Sequence, residues 1–341
     1  MSDSPLLVVL GATGKQGGSV LSYFLSLPSS PYTLRGVTRD PSSSKSIALD
    51  SRGVEMVAAN FDDPSSLDAA FKGATAIFSV TDFWIPFFDP SERQKAAASG
   101  QSIGERCRDL EVQQNKNIID AAARVPMLER FVFSSMADSN KLSNGKYAHN
   151  YHFESKGIAE EYGGTNHPAL WEKTSVLFAG LYLENWLGNG GVLLRPKLNK
   201  AKDTIVLTLG DVLGTAPFPC YSAVDDTGAL VHALLSAPPV KRFIGVNEWL
   251  SVRDVASLLA EILGKKIEFV NEDPNLDQGD PDLAREMGDM MGFCVEFGYD
   301  GARGGNSVVQ PADLGVPVKL NPVKEWLARQ DWDSELVVGE Q

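Results

Sequence analysis

The chain has 341 residues, of which 43% are hydrophobic and 22% charged, and its formal net charge at pH 7 is −13. This composition is typical of a globular protein with one large or two small domains, and the acidic balance argues against direct binding to nucleic acid or an anionic membrane. The three cysteines are scattered and lack metal-ligand spacing. No apolar run reaches membrane-spanning length, and the first residues lack the basic region of a signal peptide. We therefore expect a cytoplasmic protein without a metal site.

The first predicted element is the strand Leu6–Leu10, which runs directly into a glycine turn. Gly11, Gly14 and Gly17 follow the strand, and a helical pattern then extends over Lys15–Leu27. A strand, a tight glycine turn and a helix N-terminus form the arrangement that holds the pyrophosphate of a dinucleotide. A strand–turn–helix connection without a ligand is the alternative, but the flanking elements favour a nucleotide site.

Strands and helices alternate along the first half of the chain. The predicted strands are Leu6–Leu10, Tyr32–Thr38, Glu55–Ala59, Ala76–Val80, Arg130–Ser134 and Thr174–Ala179. The predicted helices are Lys15–Leu27, Ser44–Ser51, Ser65–Phe71, Asp109–Arg124 and Tyr151–Tyr162. This alternation predicts an α/β fold with a doubly wound parallel Rossmann sheet of strand order 3-2-1-4-5-6.

Two domains are expected from the way the alternation loosens after Gly180. Residues 1–180 form the dinucleotide-binding domain, to which 224–246 return. Residues 181–223 and 247–341 form a smaller α/β C-terminal lobe that binds the substrate.

The end of the second strand indicates which dinucleotide binds. An acid commonly stands there to bond the ribose 2′-hydroxyl of NAD, but this chain has Thr38 and Arg39, followed by Asp40 and Pro41. Arg39 can stack on adenine and pair with a 2′-phosphate, and Lys45 could add a second charge. Asp40 beside Pro41 is typical of a turn, so the pattern favours NADP over NAD.

An aromatic-rich segment, Phe83–Gly104, follows the fourth strand and is predicted to be a loop. A long loop after a parallel strand lies at the ligand-binding edge of such a sheet. Its aromatic residues could cover a bound substrate, or pack on the domain or against another subunit.

Short-chain reductases carry a Tyr-x-x-x-Lys pair on the helix after the fifth strand. This chain has Lys156, but His152 stands where the tyrosine is expected, and Tyr151 points about 100° away on a helix. A histidine can serve as a general acid near neutral pH, or it can be a packed, hydrogen-bonded residue. Lys156 and His152 are the catalytic candidates, with cofactor binding alone as the other role for the lysine.

These segments resemble the NmrA-like family, an atypical branch of the short-chain dehydrogenase/reductase superfamily. The resemblance is carried by the glycine turn, the corner at Val37–Pro41, the strand ends at Asn60–Asp62 and Thr81–Trp84, and the segments His152–Gly157 and Val224–Gly228. Together with the glycine turn and the basic corner, it implies a cofactor site made of Gly11, Thr13, Gly14, Lys15, Gln16, Gly17, Thr38, Arg39, Lys45, Asn60, Phe61, Asp62, Thr81, Asp82, Phe83, Lys156, Phe178 and Gly180. On the substrate side it implies Trp84, Tyr182, Glu184, Asn185 and Trp186.

Two functions remain open at this point. The aromatic residues favour an NADPH-dependent reductase, and the missing tyrosine favours a cyclic imine or iminium substrate, which already carries its proton. Glu184 or Asp82 could stabilise that cation. The alternative is a non-catalytic NADP(H) sensor that acts through a regulatory protein partner; a homodimer is also open.

Overall fold

A seven-stranded parallel sheet forms the centre of the protein. Across the sheet its strands are, in order, Phe243–Ile244 (β11), Thr174–Phe178 (β6), Arg130–Ser135 (β5), Ala76–Ser79 (β4), Leu6–Val9 (β1), Thr33–Thr38 (β2) and Glu55–Ala58 (β3). The computed structural model describes residues 4–187, 196–199, 203–208, 210, 214–240, 242–271 and 279–338; the other positions of the predicted C-terminal lobe lie outside this description. The order confirms the predicted doubly wound sheet and adds a seventh strand beside β6. The strands are β1 Leu6–Val9, β2 Thr33–Thr38, β3 Glu55–Ala58, β4 Ala76–Ser79, β5 Arg130–Ser135, β6 Thr174–Phe178, β7 Leu181–Tyr182, β8 Lys197–Asn199, β9 Thr204–Thr208, β10 Pro217–Tyr221, β11 Phe243–Ile244, β12 Glu248–Ser251, β13 Lys266–Val270 and β14 Val337–Val338.

Two smaller sheets accompany the main one, with orders β12-β10-β7 and β13-β9-β8-β14. Among the residues described, no helix is long and apolar enough to cross a lipid bilayer. The α-helices are Lys15–Ser26, Ser44–Asp50, Pro64–Phe71, Trp84–Phe87, Pro90–Ser99, Ile103–Ala123, Ser139–Leu142, Tyr151–Asn166, Pro168–Trp171, Thr227–Ser236, Val252–Leu263, Pro281–Phe297, Val323–Ala328 and Trp332–Glu335.

Both faces of the main sheet are covered, because its strands are apolar at successive positions. Val8 belongs to one buried cluster and its neighbours Leu7 and Val9 to the other. Successive side chains of a strand point to opposite faces, so this assignment places one cluster on each face. The helices Ile103–Ala123 and Tyr151–Asn166 supply the first cluster, and Lys15–Ser26 and Thr227–Ser236 supply the second.

The segment Phe83–Gly104 is not a loop, which corrects the prediction. It holds the helices Trp84–Phe87 and Pro90–Ser99, and the next helix begins at Ile103 rather than Asp109. Asp89 caps the second helix, Gly100 ends it with a φ of +74°, and Ser102 with Glu105 forms a capping box for the third. Asp89 and Gly100 bound the short helix Pro90–Ser99, which the apolar pattern does not reveal, and the capping box moves the start of the long helix to Ile103.

Glu160 is a buried carboxyl that makes stability depend on pH. Burial raises its pKa to about 7, against the opposing effect of Arg242, whose Nε lies 2.8 Å away. A carboxyl group with a raised pKa stabilises the folded protein when it is protonated. Its contribution to the free energy of unfolding is therefore largest below the pKa of the unfolded state. That contribution falls by up to about 3 kcal/mol as the pH rises from about 4.5 to 7.

Glu160→Gln is therefore expected to remove this part of the pH dependence of the free energy of unfolding. Chemical denaturation of wild type and variant at pH 5 and pH 7.5 measures the difference. Glu161→Gln is the matched control, because Glu161 is an exposed neighbour that pairs with Lys141 at the surface. Parallel pH profiles for wild type and Glu160→Gln would contradict the assignment.

Candidate active site

The glycine turn connects β1 to the helix Lys15–Ser26 with very little space around it. Gly11 has a φ of +62°, which favours glycine, and its carbonyl accepts a 2.8 Å hydrogen bond from the Gly14 N–H. A Cβ on Gly17 would lie 2.3 Å from the Gly11 carbonyl oxygen and 2.5 Å from that of Leu10. Both atoms belong to the backbone, so glycine is required at position 17.

The helix N-terminus beyond this turn is suited to an anion. Gly14 and Lys15 are exposed, the N-cap Gly14 provides no side-chain hydrogen bond, and the first turn contains no acidic residue. Unpaired N–H groups and the helix dipole at such an end favour negative charge. The residues present therefore fit a dinucleotide pyrophosphate.

The corner after β2 carries exposed cations beside this N-terminus. The Ala12 N–H donates to the Val37 carbonyl at 3.2 Å, which ties the glycine turn to the end of β2. Arg39 and Lys45 are exposed and make no hydrogen bond or ion pair with any residue that the structure describes. Asp40 does not compete for a ribose, because its carboxylate accepts from the Ser42 N–H and hydroxyl, and these bonds lower its pKa.

Arg39→Ala is expected to raise the dissociation constant for NADPH about 10- to 100-fold, because a charge-assisted pair with the 2′-phosphate is lost. The constant for NADH, which lacks that phosphate, should change little. Fluorescence titration of both cofactors measures this. Arg52→Ala removes the same charge from another exposed position and serves as the control. Equal losses for the two cofactors would contradict the prediction.

The segment Asn60–Asp62 is held by the long helix Ile103–Ala123. The Phe61 carbonyl accepts from Asn117 Nδ2 at 2.9 Å, and Asp62 Oδ1 accepts from Gln114 Nε2 at 3.0 Å. Asn60 Oδ1 accepts from the Asp62 N–H at 3.1 Å. These bonds fix the chain at the end of β3, beside the corner after β2.

Gln16 connects the glycine turn to two neighbouring strand ends. Its Oε1 accepts from Ser134 Oγ at 3.0 Å, and its Nε2 donates to the Tyr182 hydroxyl at 2.5 Å. Burial raises the pKa of Tyr182 to about 12, so this phenol is a weaker acid than a free tyrosine. Tyr182 is thus a poor replacement for the tyrosine missing at position 152.

Lys156 is held by a buried carboxylate, Glu111. Its Nζ lies 2.7 Å from Glu111 Oε1, and the Glu111 side chain is only 1% exposed. The same carboxylate accepts hydrogen bonds from Thr81 Oγ1 at 2.7 Å and from Ser155 Oγ. Lys156 Nζ also lies 3.4 Å from the His152 carbonyl, which leaves one of its three donors for a ligand.

His152 is held by a second buried carboxylate, Glu286, from the helix Pro281–Phe297. Its Nδ1 lies 2.5 Å from Glu286 Oε1, and the Glu286 side chain is 1% exposed. Glu286 also accepts the backbone N–H groups of Tyr151 at 3.2 Å and His152 at 3.1 Å. His152 Nε2 has no hydrogen-bond partner among the described residues. The imidazole is therefore oriented through one nitrogen only.

Aromatic rings line one side of His152. Its ring centroid lies 5.0 Å from that of Trp84 and 5.9 Å from that of Phe83. Phe87 and Phe88 extend the group through contacts with Trp84. We call these four side chains the aromatic wall. Phe83 and Phe87 are buried, whereas Phe88 is 54% exposed, so the wall runs from the interior to the surface.

Several residues predicted near ligands also have contacts within the protein. Glu184 accepts hydrogen bonds from Ser222 Oγ and the N–H groups of Ala223 and Val224, and so holds a turn. Trp186 is 2% exposed and Phe178 1%, whereas Asn185 is half-buried. A Cβ on Gly180 would lie 2.2 Å from the Gly245 carbonyl oxygen, which gives that glycine a structural reason.

The other predicted residues lie at the carboxyl ends of the strands. Asp82 is exposed, and its Oδ1 accepts from the Trp84 and Ile85 N–H groups. Thr13 and Thr38 are half-buried, beside the glycine turn and at the end of β2. Tyr151 is 8% exposed, with its ring against Gly104, and takes no part in the group around Lys156.

Sequence reasoning did not identify Glu111 or Glu286. Glu111 lies in a predicted amphipathic helix, where an acid is typical of a solvated face. Glu286 lies 134 residues beyond His152, in a helix with no motif. Only the fold brings these carboxylates to the two catalytic candidates.

Comparison with known proteins places the chain in a family. The NmrA-like family model matches residues 3–327. The NmrA-like family domain-containing oxidoreductase hkm9 of Aspergillus hancockii is 30% identical over 273 residues, which cover 77% of this chain and 74% of that protein. The oxidoreductase ptmS of Penicillium ochrochloron, of the same family, is 27% identical over 271 residues, covering 77% and 75%.

A solved structure shows the same fold. The crystal structure of Nmra, a negative transcriptional regulator, in complex with NADP aligns with a TM-score of 0.69 and 17% identity, covering 97% of each chain. This coverage includes the main sheet and the two smaller sheets, and at this identity the likeness shows the fold alone. The family match spans nearly the whole chain, and the protein is therefore a member of the NmrA-like family.

Proposed function

We propose that the protein is an NADP-dependent oxidoreductase that reduces a small organic substrate, preferably a cyclic imine or iminium. The observation that carries the proposal is the Lys156–Glu111 pair, held beside His152 and the aromatic wall. The relatives hkm9 and ptmS are named as oxidoreductases, which supports the enzyme class.

NADP(H) is the cofactor that the residues fit. The helix N-terminus at Gly14 and Lys15 would hold the pyrophosphate, Arg39 and Lys45 the 2′-phosphate, and Lys156 the nicotinamide ribose. When bound, the cofactor supplies the hydride. The solved structures of Nmra, a protein of the same fold, include complexes with NADP and with NAD, so the choice between the two depends on Arg39 and Lys45.

The chain's own residues position and protonate the substrate. The aromatic wall excludes water on one side of His152, which strengthens electrostatic interactions there. For a neutral imine, His152 is the residue placed to give the nitrogen its proton before hydride is added, whereas an iminium needs no such proton. Lys156 is oriented by Glu111, so its remaining donor points to a constant position.

The charge at the site favours a cationic substrate. Glu111 is balanced by Lys156 and Glu286 contacts His152, so the carboxylate open to a cation is the exposed Asp82, which keeps one oxygen without a hydrogen bond among the described residues. An iminium would be stabilised by Asp82, whereas the alkoxide formed from a ketone would not. We assign substrate contacts to Trp84, Asp82 and Tyr182, of which Tyr182 belongs to the predicted C-terminal lobe.

The experiment is to incubate the protein with NADPH and a matched set of cyclic imines and ketones and to follow the loss of NADPH absorbance. We expect consumption with imines, slower or absent consumption with ketones, and loss of both in Lys156→Met. Faster ketone reduction would overturn the substrate class. Equal NADPH consumption with imines and with ketones would overturn the proposed role of the site in selecting an imine.

A non-catalytic NADP(H) sensor is the second candidate. The complex of Nmra, a negative transcriptional regulator, with NADP supports it, as does the histidine at position 152. A sensor would distinguish NADP⁺ from NADPH in affinity and would consume neither. In that case the aromatic wall would contact a protein partner rather than a substrate. Phe88 of the wall and the neighbouring Ile85 are both more than half exposed.

The cysteines support a cytoplasmic location. Cys107, Cys220 and Cys294 are free and buried, and burial raises the pKa of Cys107 and Cys220 to about 12. Such thiols are unreactive, as expected of packed residues in a reducing compartment.

A further inference from the structure

Glu286 stands in an unusual relation to His152, since one carboxylate contacts three nitrogens of a single helix end. Oε1 accepts from the His152 backbone N–H and lies 2.5 Å from His152 Nδ1, and Oε2 accepts from the Tyr151 N–H. The helix Tyr151–Asn166 has no side-chain cap of its own at Asn150. Glu286 therefore caps this helix from a distant element and orients the imidazole in the same contact.

The ring orientation has a chemical consequence. Because a carboxylate can only accept hydrogen bonds, its contact with Nδ1 requires a proton on Nδ1. The neutral imidazole is therefore restricted to the Nδ1–H tautomer. In that tautomer the lone pair is on Nε2, the nitrogen without a partner among the described residues. The rings of Trp84 and Phe83 lie on this histidine at 5.0 and 5.9 Å between centroids.

We propose that Glu286 is a positioning residue that fixes His152 in the Nδ1–H tautomer and makes Nε2 the nitrogen that exchanges a proton with the substrate. The inference rests on the proposed reductase function and deepens it. In the imidazolium form, Nε2–H gives its proton to the imine nitrogen. The ring is then neutral, with its remaining proton on Nδ1 toward Glu286, and solvent returns a proton to Nε2. The C-terminal lobe thus contributes directly to the catalytic geometry.

The same helix offers a matched control. Asp289 Oδ2 accepts from the His149 backbone N–H at 2.8 Å and lies 3.0 Å from His149 Nδ1, so it repeats the contact one helical turn further on. This pair is exposed, since the His149 side chain is 48% accessible, and lies outside the group around Lys156. Asp289→Asn removes the same type of interaction without touching the proposed site.

The test is a long-range ¹H–¹⁵N spectrum of the four histidines above the titration range, with assignment from His152→Asn. For the wild-type protein we expect His152 to show the Nδ1–H pattern. In Glu286→Gln, where one oxygen becomes a donor, we expect that pattern to be lost and kcat to fall about 10- to 100-fold, with KM for NADPH unchanged. Asp289→Asn should alter the His149 signal alone.

The outcomes separate this inference from the proposed function. An Nε2–H pattern for His152 in the wild-type protein overturns the positioning role, whether or not turnover is seen and whether or not the variant folds. Unchanged tautomer and kcat in Glu286→Gln overturn it as well. The expected tautomer in a protein without turnover supports the positioning of His152 and counts against the reductase.

Discussion

Lys156→Met is expected to lower the free energy of unfolding by about 3–5 kcal/mol, because it leaves Glu111 as a buried charge without its cation. Glu111 is 1% exposed, and the hydroxyls of Thr81 and Ser155 would be its remaining donors. Turnover should be lost together with stability. Urea denaturation monitored by circular dichroism measures the first effect, and NADPH consumption measures the second.

A double variant separates the two effects. Lys156→Met with Glu111→Gln removes both charges and should recover most of the stability, but none of the turnover. Lys141→Met is the control, since Lys141 pairs with Glu161 at the surface, where an ion pair contributes about 0–1 kcal/mol. Full stability of Lys156→Met would mean that Glu111 is not held as a carboxylate. Normal turnover of the double variant would remove Lys156 from the mechanism.

Gly17→Ala is expected to disrupt the glycine turn, because its Cβ would lie 2.3 Å from the Gly11 carbonyl oxygen and 2.5 Å from that of Leu10. These backbone atoms cannot move without displacing β1 from its place in the sheet, so we expect a loss of about 3 kcal/mol in the free energy of unfolding. The dissociation constant for NADPH should rise as well, because the helix N-terminus moves. Thermal denaturation and cofactor titration measure the two effects.

The adjacent glycine provides the control for that variant. A Cβ on Gly18 would lie 3.5 Å from the Ala12 carbonyl oxygen, an ordinary contact. Gly18→Ala should therefore stabilise the helix by about 1 kcal/mol, the usual gain over glycine inside a helix. If both variants had the same stability, the steric argument for Gly17 would be contradicted.

The sheet could be predicted from the sequence because its signals are local. Each strand is a short apolar run, and the turn after β1 is marked by its own glycines. Asp40 was likewise interpretable as a turn residue, since its partner Ser42 stands two positions away. The predicted order 3-2-1-4-5-6 follows from these signals and from the handedness of crossovers.

The partners of the catalytic candidates could not be predicted, because they come from distant parts of the chain. Lys156 and His152 stand out through their spacing, but Glu111 lies 45 positions from one and Glu286 134 from the other. The helices within Phe83–Gly104 were missed for another reason. Asp89 caps the helix Pro90–Ser99 and Ser102 caps the helix that begins at Ile103, whereas the composition of the segment is typical of a loop.

Transfer of deuterium from cofactor to substrate tests the central proposal most directly. NADPH labelled with deuterium at both C4 positions is incubated with the protein and a cyclic imine, and the amine product is analysed by mass spectrometry. The reductase proposal predicts one deuterium on the former imine carbon, and none when Lys156→Met/Glu111→Gln replaces the wild-type protein. Saturable binding of NADPH with no labelled product from any imine, ketone or activated alkene would contradict it.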